Sequence, residues 1–256
     1  MKVAISCPTC RAEAGAGLEP GEIERHVFFT DVQTESLYQV ACPRGHANWA
    51  VLENPKFEIL FEHGCMALVE GYPREAVSSF AAALERFYEF FIEVVCAKLG
   101  VPVTALDASW KYIQLSERQL GAFYFCYLLL HKRPVAETFH KQLIGWTTQR
   151  NKAIHQGEIP PRGKAKEYGE WIFAAIATFL AELGGLDDPA IVAVFDQELA
   201  RALAKVPAGS ETSPITTITV MSLLGRQEGS FDERLERLER YVVNFHKGKA
   251  VLPFLD

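Results

Sequence analysis

From Tyr72 onward, apolar residues recur at alternating spacings of three and four: Val77, Phe80, Leu84, Phe87, Phe91 and Val94. That period places them on one stripe of an α-helix, with Glu85, Arg86, Glu89 and Glu93 off it. The helix is predicted to run to about Lys98, because Gly100 and Pro102 follow as stop signals. A second helix is expected from Ser116, where "SERQ" reads as a capping box flanked by Leu115 and Leu120, and it ends in "HKRP". A third is expected from Val135 to about Thr148. A fourth carries Tyr168, Ile172, Ile176, Phe179 and Leu183 on one face before Gly184 and Gly185. Asp188 and Pro189 form an N-cap and first-turn pair for a fifth, ending near Pro207. Residues 70 to 206 therefore read as a helical bundle with short connections, and the fold class as mainly α.

The flanks differ. Residues 1 to 66 hold short β-favouring runs, "HVFFT", "LYQVA" and "NWAVL", separated by Gly, Pro and Asn, which predict a small β-rich module. Residues 207 to 256 combine "PITTITVMSLLG", which alternates like a strand, with the amphipathic "FDERLERLERYVVNF". A helix that short is not stable alone, so Leu235, Leu238 and Val242 are expected to pack on the bundle or at a dimer interface. No stretch approaches the roughly 18 apolar residues of a membrane helix, and "MKVAISCPTC" has too short an apolar run for a secretory signal. The expectation is a cytoplasmic protein without membrane contact.

In a reducing compartment, the six cysteines are expected as thiols or metal ligands. Cys7 and Cys10 form "CPTC", and Cys42 and His46 form "CPRGH". Two close pairs presented by two turns suit tetrahedral zinc, so a structural Zn2+ in a zinc-ribbon-like module is expected. Cys65 or His63, in "EHGC", is the alternative fourth ligand. No βαβ pattern surrounds "CPTC", which argues against a thioredoxin-like redox pair. Cys96 and Cys126 sit in apolar helical runs and read as small core residues.

A net charge of −6 and a pI near 5.7 exclude a chain coated in positive charge. Charge is local instead. Lys141, Arg150, Lys152, Arg162, Lys164 and Lys166 fall in one segment whose one acid is Glu158. Within it, "QRNKAIHQG" places Arg150, Asn151 and His155 just before a break at Gly157 and Pro160. The Arg-to-His spacing also occurs at Arg133 to His140 and Arg240 to His246, but there no Asn follows the Arg and neither pair lies in the basic segment.

The helical region together with "RNKAIH" resembles the HEPN superfamily, helical bundles that carry an Arg-x4-6-His motif. The resemblance implies a metal-independent endoribonuclease that acts as a homodimer on RNA, as a toxin or defence effector with a protein partner such as an antitoxin. Arg150, Asn151 and His155 would be its catalytic residues, with Lys152, Lys141 and Arg162 as substrate contacts. Cleavage through the RNA 2′-hydroxyl needs a base, an acid and a cation near the phosphorus, and His suits both proton roles near neutrality. One His per chain does not fill both, and a two-fold pair does. The family also has members without activity. For them the reading is a dimeric binding protein whose zinc module contacts RNA or protein.

Overall fold

The computed structural model describes residues 2–14, 27–33, 35–42, 44–217, 219–222 and 229–246. Its strands are β1 (Lys2–Ser6), β2 (Val27–Asp31), β3 (Leu37–Ala41), β4 (Ala47–Leu52) and β5 (Thr212–Ile215). The helices are α1 (Pro8–Ala14), α2 (Lys56–Val69), α3 (Pro73–Lys98), α4 (Val103–Trp110), α5 (Ser116–His131), α6 (Glu137–His155), α7 (Arg162–Leu183), α8 (Pro189–Leu203) and α9 (Phe231–His246). The chain is mainly α, with its strands concentrated near the N-terminus.

The stripe that opens the helical region is the axis of the bundle. Phe80, Phe87, Phe91 and Val94 of α3 have no exposed surface, and α2, α5, α6, α7 and α8 pack around that helix. Phe80 fixes how close two of these neighbours come. A Cβ added at Gly64 on α2 would lie 2.5 Å from its Cδ1, and one at Gly169 on α7 would lie 2.7 Å from its Cε2. Both glycines are there because the ring takes the space a side chain would need.

α2 lies largely within residues 1 to 66, the span expected to be a β-rich module. Phe57, Phe61, Cys65 and Leu68 recur at four, four and three, and all are buried in the bundle core. The β-favouring runs just upstream obscured that stripe. α6 likewise reaches His155 rather than Thr148, so "RNKAIH" is its last turn and a half and does not follow it. Helix α5 starts at Ser116 as expected, yet Leu115 is its N-cap residue and no side chain caps it. Asp188 does cap α8, its Oδ1 accepting from the Ala190 N–H at 2.9 Å.

β1 pairs antiparallel with β2, and a second sheet has the order β3-β4-β5, in which β4 and β5 run parallel. The tail thus joins both halves of the molecule: β5 extends the N-terminal sheet, and α9 packs on α2 with Leu235, Leu238 and Val242 buried. The strand is shorter than the alternation suggested, and beyond it the Val220 N–H donates to Glu62 Oε2 of α2 at 2.7 Å. Among the described residues, no helix is long and apolar enough to cross a membrane.

Candidate metal centre and the Arg–His helix

Two turns build the first site. Cys7 sits between β1 and α1, with Cys10 in the first turns of α1, so that pair straddles a helix start rather than a hairpin. Cys42 and His46 flank the β3–β4 turn, closed by the Gly45 N–H donating to the Cys42 carbonyl at 2.8 Å and the Cys42 N–H donating to the His46 carbonyl at 3.0 Å. Gly45 has φ +85°, which a side chain would resist.

The sheets bring these turns together, and the ligand atoms of Cys7, Cys10, Cys42 and His46 all lie within 4.8 Å of one another. Cys10 Sγ is 3.7 Å from Cys42 Sγ and 3.3 Å from His46 Nδ1, and Cys7 Sγ is 3.7 Å from that nitrogen. The three sulfurs are buried as a small cluster of their own. Burial, then the neighbouring thiols, pushes Cys10 up to about 11. At Cys42 burial acts the same way, but hydrogen bonds from the His46 and Arg44 backbone outweigh it and bring the thiol down to about 7. A cation would favour the thiolate at all three.

Charged and polar neighbours orient the ligands. Glu13 Oε1 lies 3.5 Å from His46 Nε2, and its Oε2 pairs with Arg44 at 2.8 Å, so the ring turns Nδ1 toward the sulfurs. The Asn48 amide admits two orientations: Nδ2 toward Cys7 Sγ at 3.2 Å, or toward Glu211 Oε2 at 3.1 Å after a flip. A metal-bound thiolate is the stronger claimant for the N–H donor, which favours the first. The alternative fourth ligands lie elsewhere. Cys65 is buried in the bundle core, and His63 is on the exposed side of α2.

Helix α6 presents the second set of residues. At about 100° per residue, Asn151 and His155 share a face with His140 and Ile144, whereas Arg150 and His155 are about 140° apart around the helix. Arg150 turns toward α3: its Nη2 donates to Glu85 Oε1 at 2.9 Å, its Nη1 to Asn151 Oδ1 at 3.1 Å. Its Nε is buried with no hydrogen-bond partner among the described residues. His155 is exposed. The last turn of α6 is held by Arg74, whose Nε donates to the Ala153 carbonyl at 3.0 Å, so neither Arg150 nor Lys152 is needed as a helix cap.

The basic segment is largely paired. Lys141 meets Glu137, Arg150 Glu85, Arg162 Glu239, Lys164 Glu167 and Lys166 Asp232, which leaves Lys152 without an ion pair among the described residues. Glu85 and Glu13 are the site residues that motif reading passed over. Glu85 was visible as a charge off the α3 stripe, but nothing in the sequence ties it to Arg150. His140 Nδ1 lies 2.9 Å from the Tyr124 hydroxyl, and Arg133 pairs with Glu182, so these two do not form a second Arg–His site.

No family model matches the chain, and no curated protein or solved structure matches it.

Proposed function

We propose that the chain is a metal-independent endoribonuclease of HEPN type that acts as a homodimer, with a structural zinc in its N-terminal module. The observation that carries this reading is the outer face of α6, where Asn151 and His155 stand one turn apart and Asn151 Oδ1 accepts from the inward-turned Arg150 at 3.1 Å. His155 takes the 2′-hydroxyl proton, and His155 of a second copy protonates the leaving 5′-oxygen. Arg150 offsets the charge that builds on phosphorus, Asn151 orients it, and Lys152 meets the RNA backbone.

Two copies meeting along this face bring their histidines together. Its surroundings suit such a contact, since Ile144 on this face is 55% exposed and Phe125 and Leu128, which line a hollow with His140 of the same face, are 69% and 41% exposed. For the metal, tetrahedral zinc with Zn–S near 2.3 Å separates two sulfurs by about 3.8 Å, and Cys10 and Cys42 stand 3.7 Å apart. The soft Cys3His donor set favours zinc over harder cations.

Incubation with total RNA tests the reading. Cleavage unaffected by EDTA over short times, with 2′,3′-cyclic phosphate ends, is the expected result, and intact RNA across diverse substrates would sink it. The second reading, a non-catalytic dimeric binding protein of this fold, draws on the ion pairs: a guanidinium occupied by Glu85 is not free for phosphate.

A further inference from the structure

A cleft of about 680 Å³ lies between the N-terminal sheet and α8, and none of its lining residues belongs to α6 or to the metal ligands. Its volume falls within the roughly 300–1,000 Å³ that small-molecule sites occupy. Two layers that do not close on each other make it. On α8, Ile191 and Val194 turn to the core, while an adjacent apolar stripe, Val192, Phe195, Leu199 and Ala202 at spacings of three, four and three, lines the cleft. Strands β3 and β4 supply the facing wall with Leu37, Val51 and Leu52. Val192 stays 44% exposed, and Phe195 is only partly covered, its ring 5.5 Å from that of Phe90.

The rim is charged and unbalanced. Lys205 pairs with Glu35 at 3.0 Å, spanning the cleft from just past α8 to just before β3. Arg201 is held by acids outside the lining, its Nη2 2.7 Å from Asp107 Oδ1 on α4 and its Nη1 3.9 Å from Glu93 Oε1 on α3. Among the described residues, that leaves the lining carboxylates of Glu53, Asp196 and Glu198 against Lys56 alone, whose charge Glu198 already shares with Glu89. Glu93 shows the shortage of positive charge: burial, then the Glu198 carboxylate, raises it to about 7 although Arg201 opposes the rise.

We propose that this cleft binds an organic cation, an amine or guanidine carried on an apolar body about the size of one ring. The body displaces water between the α8 stripe and the strand wall, and the head meets Glu198 with Glu93 behind it. An anionic guest would meet an excess of like charge. A neutral one would leave the carboxylates without a partner. The inference stands apart from the reading of the α6 face and does not require RNA cleavage.

Phenethylamine, phenethyl alcohol and phenylacetate share one body and differ in charge, so they serve as probes on the full chain. In amide-resolved NMR titrations, phenethylamine should shift Leu52, Phe195, Leu199 and Ala202 saturably. The alcohol should bind at least about fivefold more weakly, the scale of one charge-assisted contact, and phenylacetate more weakly still. Glu198→Gln should weaken the amine by a similar factor and leave the alcohol unchanged. Ala202→Trp, which fills the cleft, should weaken both, with the rest of the spectrum reporting an intact fold. Shifts that lie elsewhere or do not saturate, equal affinity for the three probes, or a Glu198→Gln variant that binds the amine as the parent does would each overturn the proposal.

Discussion

The N-terminal centre and the α6 motif were both nominated by spacing, and the structure treats them differently. At the centre, four side chains from two distant turns converge within 4.8 Å, and Glu13 and Asn48 stand behind them. On α6, residues adjacent in sequence diverge: Arg150 turns inward to Glu85 and His155 outward to solvent. Convergence of three thiols and an imidazole is compatible with a metal site, where a cation would offset the repulsion of groups that ionise as thiolates. Divergence on a helix has one too, since five residues are not a whole number of turns. A short helical motif therefore becomes a site only with a second element, and in the reading proposed above a second copy of the chain would supply it for His155.

The largest effect should come from chelation, if the centre holds the proposed zinc. If the centre holds the strand region together, chelation should unfold residues 2–52 while the bundle keeps its helical signal, because apparent binding energies of structural zinc reach roughly 10 kcal/mol. Circular dichroism with hydrogen exchange would read the two regions separately. Cys42→Ser should lower metal content from about one zinc per chain toward none. A strand region as protected without metal as with it would remove the contrast between the two sites.

Next comes the α6 face. His155→Ala should lower RNA cleavage by at least roughly a hundredfold, the scale of a lost proton-transfer group, with melting temperature unchanged because the side chain is exposed. Arg150→Ala should lower both, since it also strands Glu85. Equal cleavage by His155→Ala and the parent would show that face to be a helix surface and nothing more.

A smaller effect separates the roles of Arg150. Glu85→Gln keeps an acceptor for the guanidinium and removes the charge that neutralises it. If Arg150 turns to phosphate in the complex, RNA binding should tighten by roughly tenfold and its salt dependence should steepen by about one ion. If the pair is only architectural, stability falls and RNA binding does not change.

How much of this was legible in the sequence depended on whether one element or two were involved. The α3 stripe, the α7 stop at Gly184 and the Asp188 cap are local patterns, and the structure follows them. The clustering of Cys7, Cys10, Cys42 and His46 was legible because their spacing forms two close pairs, though one pair opens a helix rather than a turn. Helix α2 was hidden, as its stripe follows strand-like runs without a marked change in composition. The Glu85–Arg150 pair spans 65 residues, and its charges look like any solvated pair until α3 and α6 are placed side by side. Glu58 and Glu62 were the least legible: both are buried on α2, where the sequence alone suggests a solvent-facing side.

Glu62 supplies the smallest prediction and links the two regions, since the segment it holds continues β5, which pairs with β4 next to the metal centre. Burial raises Glu62 from 4.5 to about 7, the Val220 N–H opposes that, and Glu58 adds to it. Cys65 and Tyr241 also feel its charge. A carboxyl raised on folding contributes stability that is complete below its ordinary value and is lost as pH climbs through the folded one. Between pH 6 and 8 the parent should therefore lose about 1 kcal/mol from this group. Glu62→Gln keeps an acceptor for the Val220 N–H without the charge, so its unfolding free energy should be flatter across that window. Denaturant titrations at both pH values would show it. If Glu62 alone sets the tail's docking, hydrogen exchange at Val220 and through β5 should speed up with pH in the parent, beyond the intrinsic rate increase, and not in the variant. Parallel pH profiles for the two proteins would mean that the buried carboxylate is already neutralised by its surroundings, and that the tail ties the metal centre to the bundle independently of pH.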